Sequence, residues 1–221
     1  MKREIMMTSD GSTTIHLPDW NEQYHSKHGA IQEAYHVFID KGLNEFKSDK
    51  SLSILEVGFG TGLNAFITYL ESKRSSKIIN YTGVEAYPIE NDEVFKLNYV
   101  SQLKVENEKP VFDKIHNISW GIKHQISNNF FLTKRQEFFD EIDEVNQFNL
   151  IFFDAFGARV QPELWTVKIF KKMYNALKVN GILVTYSAKG SVRRAMEEVG
   201  FIVEKLPGPP GKREMLRAIK K

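Results

Sequence analysis

"SLSILEVGFGTGLNAFITYL", Ser51 to Leu70, is the stretch on which the fold turns. A run of β-formers passes directly into three glycines at every second position, Gly58, Gly60 and Gly62. Beyond them the apolar residues change to helical spacing, with Leu63, Phe66, Ile67 and Leu70 on one face. A strand that ends in glycine-rich backbone and runs into a helix makes a concave site at its carboxyl end, where the helix supplies unpaired N–H groups. The missing side chains let a ligand approach that backbone closely.

The spacing narrows what approaches. A dinucleotide fingerprint reads G-x-G-x-x-G, whereas this loop reads G-x-G-x-G with Glu56 two residues ahead of it. A pyrophosphate gains from the helix dipole and loses beside a carboxylate, while a ligand carrying positive charge can use one. S-adenosylmethionine is such a ligand, with a sulfonium, an α-amino group and no phosphate. Glu56 is then expected to hold or orient its methionine end, directly or through water. Gly58, Phe59, Gly60, Thr61, Gly62 and Asn64 form the rest of the expected cofactor loop. A second acid, Glu85, ends the next apolar run, "TGVEAY", 23 residues beyond Gly62, and Ala86 follows it. Acids at this place accept hydrogen bonds from ribose hydroxyls. Taken singly, the glycines make a tight turn and Glu85 a helix N-terminal charge; the order strand, glycine loop, helix, strand, acid favours a methyltransferase.

Outward from this unit, apolar β-rich runs alternate with helical patterns, which describes an open α/β sheet with helices on both faces. "FNLIFFDAF" (148–156) is apolar without a break up to Asp154, as in a strand covered on both sides. Pro88 opens a helix to about Val100, and Pro162 opens another with Trp165, Ile169, Phe170 and Met173 on its core side. "GILVTYSA", the basic helix "SVRRAMEEVG" and two strands joined by "PGPPG" close the chain. Residues 101–146 hold one or two strands and a helix. Residues 1–45 read as an extension covering the sheet's active-site edge, and 46–221 as the Rossmann-like domain.

Asp154 ends the third strand, beside the expected cofactor. A carboxylate there can be an N-cap or a satisfied buried acid. It also suits an amine acceptor, since an alkylammonium cannot attack a methyl group until it gives up a proton. Asp154, the candidate catalytic residue, could take that proton or hold the nitrogen electrostatically. The residues leave both roles open.

At 221 residues the chain fits one domain, and with no cysteine it has neither disulfides nor thiolate metal sites. His25 and His28, an H-x-x-H pair with His36 further on, would need a third partner and a helix placing them together to hold a metal, so no metal is expected. No apolar run has signal-peptide or membrane-span length, which predicts a cytoplasmic protein. Net charge is +2, but residues 159–221 hold 14 Lys/Arg against 5 Asp/Glu. That surplus suggests a polyanion-facing side, the plain alternative being a chance clustering of surface lysines.

With these residues in hand, the chain resembles the MnmC-like methyltransferases, the tRNA 5-methylaminomethyl-2-thiouridine methyltransferases. "EQYHSKHGAIQEAYHVFI", "LEVGFGTGLNAF", "FFDAFGARVQPELWT", "TYSAKGSVRRAMEEVGF" and "PGKREML" carry the likeness, in order along most of the chain. The resemblance implies a class I fold with a seven-stranded, mostly parallel sheet and a C-terminal antiparallel strand. It implies S-adenosylmethionine-dependent methylation of an aminomethyl group on the wobble uridine of tRNA. Many relatives carry a second, flavin-dependent domain; here no FAD is expected, and an upstream wobble-uridine enzyme or oxidoreductase must supply the amine. Lys134 and Arg135 stand where many relatives have an acid contacting adenine, which leaves adenine to backbone and apolar contacts.

On the substrate side, Lys189, Arg193, Arg194, Lys212 and Arg213 are expected to meet tRNA phosphates, and Tyr24 and Tyr35 to line the acceptor pocket. Lys220 and Lys221 read as solvated surface charge. Two rivals remain. A polyamine-type aminopropyltransferase needs an acidic acceptor cavity, which the basic C-terminal third argues against, and a catalytically inactive tRNA-binding module need not keep Glu56, Glu85 and Asp154.

Overall fold

A computed structural model describes residues 2–47 and 50–221. The N-terminal part forms a small antiparallel sheet of β1 (Glu4–Met7), β2 (Thr13–Leu17) and β3 (Glu22–Gln23). Helix α1 (Ala30–Ala34) follows and continues as a π-helical turn over Tyr35–Asp40. This turn drives Val37, Phe38 and Ile39 into the main core, where Phe38 meets Phe152 at a centroid distance of 5.1 Å.

The main sheet begins with β4 (Ser51–Val57), then α2 (Leu63–Lys73), β5 (Ile78–Val84), α3 (Asn91–Val94), α4 (Tyr99–Gln102) and α5 (Lys109–Asn117). It continues through β6 (Lys123–Ser127), β7 (Phe130–Arg135), β8 (Phe148–Phe153), α6 (Val167–Ala176), β9 (Leu177–Thr185), α7 (Gly190–Glu198), β10 (Ile202–Pro207) and β11 (Glu214–Ile219). The strand order is β10-β11-β9-β8-β4-β5-β7-β6. β7, β5, β4, β8 and β9 are parallel, and β11 enters antiparallel between β9 and β10. Seven of these strands are the expected sheet; the eighth, β6, is a short antiparallel edge within residues 101–146, where one or two strands are expected.

β8, the unbroken apolar run, lies against β4 and β9 with both faces covered. One core cluster holds Phe66, Tyr81 and Phe152, and the other holds Ile151, Phe153 and Phe170. The helix expected from Pro88 to Val100 is broken into α3 and α4. Asn98 sits at the break and exchanges hydrogen bonds with the β1–β2 hairpin: its Oδ1 accepts from Thr13 N at 2.8 Å, and its Nδ2 donates to Gly11 O at 2.9 Å. Tertiary pairing with the N-terminal sheet thus outweighs local helix continuation. No helix among the described residues is long and apolar enough to cross a membrane.

Candidate active site

In-register parallel pairing brings three strand ends abreast. Val57 lies opposite Val84 of β5 and Phe153 of β8. The next residues, Gly58, Glu85 and Asp154, therefore emerge side by side where the strand order switches direction, the place where open α/β sheets bind ligands. Backbone bonds fix the junction. Gly58 N and Phe59 N both donate to Val84 O at 3.0 Å, and Asp154 N donates to Val57 O at 2.9 Å. Above them opens a cleft of about 1540 Å³.

The loop glycines serve its own packing as well as ligand approach. Gly58 has φ +96°, and a Cβ there would lie 2.6 Å from the Asp154 carbonyl oxygen. Gly60, at φ +50°, would press its Cβ on the Tyr24 ring at 3.1 Å. Gly60 N donates to Glu85 Oε2 and Tyr87 N to Glu85 Oε1, each at 3.0 Å, so this carboxylate is held across the mouth of the loop. Ala86 and Asn64 also line the cleft, as does Tyr24, whose ring meets Phe156 edge-on at 4.9 Å.

Asp154 is partly buried at the cleft floor, its Oδ2 accepting from Asn64 Nδ2 at 2.9 Å. Burial pushes its carboxyl up to about 7; the Glu33 carboxylate adds to the rise, and the Asn64 amide and the Lys212 ammonium oppose it. An acid poised there can change protonation state near neutral pH.

Several expected positions are corrected. Glu56 does not face the cleft: it is fully buried behind Asn64, whose Nδ2 also donates to its Oε1 at 2.9 Å. Thr61 turns inward, where it accepts from the Tyr99 hydroxyl at 2.9 Å, and Gly62 is the left-handed start of α2. Phe59, by contrast, lines the cleft, while its largely buried ring packs on Gly83 with Trp120 6.1 Å away. Tyr35 is carried away from the acceptor side by the π-helical turn, its hydroxyl meeting Glu71 near the far end of α2 at 3.4 Å. Lys212 is not free for phosphates; it pairs with buried Glu33 and lies 3.8 Å over the Tyr186 ring. Lys220 is buried rather than solvated, and donates to Leu177 O at 2.7 Å and Asn146 Oδ1 at 2.9 Å.

Lys189, Arg194 and Arg213 are exposed, as is Arg193, which pairs with Glu197 along α7 at 2.8 Å. Lys134 is buried against Trp120 and the His116 carbonyl, and Arg135 is held by Glu137 and Glu144, so neither is presented to a ligand. Trp165 is core, with Nε1 donating to Phe156 O at 2.7 Å. No group of three or more metal-ligating side chains occurs among the described residues.

Other parts of the site left little trace in the sequence. Arg3 bridges the cleft rim, donating to Tyr87 O at 2.7 Å and to Glu93 at 3.0 Å. Tyr87 and Phe138, both exposed on that rim, meet edge to face at 6.0 Å. Phe156, two residues after Asp154, was within reach of the motif. The cleft is lined by Glu85, Glu90, Glu93, Asp140, Asp154 and Glu163 against Arg3 and Lys168. The acidic cavity that the C-terminal charge argued against is therefore present. S-adenosylmethionine fits this donor set: a cationic ligand, a carboxylate-lined cleft, a loop edge without Cβ atoms, and Asn64 Oδ1 as a buried acceptor with no partner.

Comparisons with known proteins agree with that chemistry. The bifunctional protein MnmC of Burkholderia mallei (strain SAVP1), named for tRNA 5-methylaminomethyl-2-thiouridine biosynthesis, is 28% identical over 228 residues, covering 96% of this chain and 34% of that protein. The same-named protein of Burkholderia pseudomallei (strain K96243) is 27% identical over 231 residues with the same coverage. The chain thus spans about a third of the length of these relatives. Among solved structures, MNMC2 from Aquifex aeolicus matches with a TM-score of 0.78 at 24% identity, covering 100% of this chain and 70% of that one. Spermidine synthase from Thermotoga maritima matches with a TM-score of 0.54 at 13% identity, covering 100% and 72%. Both show the fold. A family model described as S-adenosyl-L-methionine-dependent methyltransferase matches residues 111–221, half of the chain, with Asp154 inside the match. This protein belongs to that methyltransferase family.

Proposed function

We propose that this methyltransferase transfers a methyl group to the aminomethyl nitrogen of a tRNA wobble uridine, giving 5-methylaminomethyl(-2-thio)uridine. The observation that carries the reading is Asp154, a partly buried carboxyl held by Asn64 at the strand end beside the glycine loop. Similarity to proteins named for this uridine modification supports the substrate.

When bound, S-adenosylmethionine supplies an electrophilic methyl group. The edge from Gly58 to Gly60, with Asn64, Glu85 and Ala86, would hold it. Asp154 receives the substrate ammonium, accepts its proton and keeps the nitrogen in place as positive charge returns to it. Tyr24 and Phe156 supply aromatic walls for the base. Lys189, Arg193, Arg194 and Arg213 would meet tRNA phosphates outside the acidic cleft. An upstream wobble-uridine enzyme or oxidoreductase supplies the amine, with the cytoplasm as the compartment.

The test incubates the protein with methyl-labelled donor and tRNA from cells blocked at the aminomethyl stage, then identifies the labelled nucleoside. Label in 5-methylaminomethyl(-2-thio)uridine is expected; label in another base overturns the substrate. The carboxylate lining favours one second reading, a small polyamine acceptor, which labelled polyamine without labelled tRNA would establish.

A further inference from the structure

Two buried polar atoms without partners lie beside each other behind the cofactor loop: Glu56 Oε2 and the Tyr81 hydroxyl. Glu56 has no exposed surface, and the Asn64 amide donates to its Oε1. That same Nδ2 serves Asp154, so both amide hydrogens are spent on two carboxyl groups. A buried carboxylate with only neutral donors and no cation is costly, whereas a carboxylic acid in the same place is not. The Tyr81 hydroxyl beside Oε2 offers one more neutral donor, but the charged groups that act on Glu56, Asp154 and Glu85, are both acids.

We propose that Glu56 is a neutral carboxylic acid and a positioning residue, which fixes the Asn64 amide and through it Asp154, rather than a charged ligand of the methyl donor. The groups that act on Glu56 are Asn64 from α2, Tyr81 from β5, Asp154 after β8 and Glu85 after β5. The charged ones are both carboxylates, and burial together with them holds the Glu56 carboxyl well above the usual range. Asp154 is further faced by Glu33 and Lys212. Asn64 can point its two hydrogens both ways only while its orientation is held from behind. A neutral acid does this without adding a second negative charge beside Asp154. The proposal rests on the Asp154 reading above, but the test of its protonation state, by carbon resonance and donor titration, uses neither tRNA nor a nucleoside product.

In wild-type protein carrying carboxyl-¹³C glutamate, one resonance should keep the shift of a protonated acid up to pH 8 and be missing in Glu56→Gln. S-adenosylmethionine titrated calorimetrically into Glu56→Gln should bind within fivefold of wild type, since glutamine is the neutral isostere. Glu56→Leu, which releases Asn64, should raise the pH midpoint of kcat by at least half a unit, because Asp154 loses an aligned donor to its charged form. Glu56→Gln should restore that midpoint. A glutamate set that titrates entirely below pH 6, or a fivefold or greater loss of donor affinity in Glu56→Gln, overturns the neutral acid. An unmoved midpoint in Glu56→Leu overturns the positioning role. If Glu56→Leu does not fold, the wild-type titration and the glutamine variant still decide the protonation state.

Discussion

Asp154 answers to two opposed demands. Accepting a proton from an ammonium requires the carboxylate, while its surroundings favour the acid, with a pKa of about 7 against about 3.9 for a free aspartate. The folded state therefore holds this proton more tightly than the unfolded chain. Between about pH 4 and 7 the native protein binds more protons, and the Asp154 contribution to stability falls as pH rises through that window. Asp154→Asn removes the cost of ionising in place. Its stability advantage over wild type should grow by about 2–3 kcal/mol between pH 5 and pH 8, out of about 4 kcal/mol for the full three-unit shift, read from melting curves at both values. Turnover should fall by roughly 10² to 10⁴, with donor affinity kept within a few-fold. Neutral-pH turnover that survives this change would mean that Asp154 is not the proton acceptor. The residue itself was legible, because an acid ending an unbroken apolar strand stands out. Its tuning by Glu33 and Lys212 was not, because those partners lie far away in sequence.

At the scale of elements, the N-terminal sheet is tied to both sides of the cleft. Arg3 reaches Tyr87 O, Pro88 O and Glu93 on one lip, and Arg159 on the other donates to Trp20 O, Asn21 O and Glu22. β1 and β2 have few strand neighbours of their own, so these ties and Asn98 hold them in place. Arg3→Ala should speed amide exchange in residues 4–17 by at least about tenfold while β4, β5 and β8 stay protected. Global stability should fall by only about 1–2 kcal/mol. Exchange monitored by mass spectrometry measures both, and unchanged protection of the hairpin would show that Arg3 does not fasten it. The alternation of apolar and polar residues revealed the main strands, but a single arginine near a chain end carries no pattern.

For the whole molecule, charge counted along the chain and charge arranged in space differ. The C-terminal third is basic, yet part of its charge is spent internally: Lys212 on Glu33, Arg217 on Glu45 and Glu204, and Lys220 on the Leu177 carbonyl. The cleft is acidic, and the exposed cations of α7 and the β10–β11 turn lie outside its lining. If that face meets tRNA, the double variant Arg193→Ala, Arg194→Ala should weaken tRNA binding and flatten its logarithmic salt dependence by about 1 to 2 units of slope. Donor affinity should not change. An unaltered slope in filter binding across a salt series would place the phosphate contacts elsewhere.

The sequence alone determined the alternation of the main strands and helices, the glycine loop and the two acids at strand ends. These are signals of local period and spacing, which a short stretch of chain carries in full. Only the tertiary structure decided which way the side chains face. Glu56 turned behind the loop, Lys212 met Glu33 across 179 residues, and Tyr35 swung away on a π-helical turn. Facing is settled by burial and by partners from distant elements, whose cost or gain exists only once the sheet has brought them together.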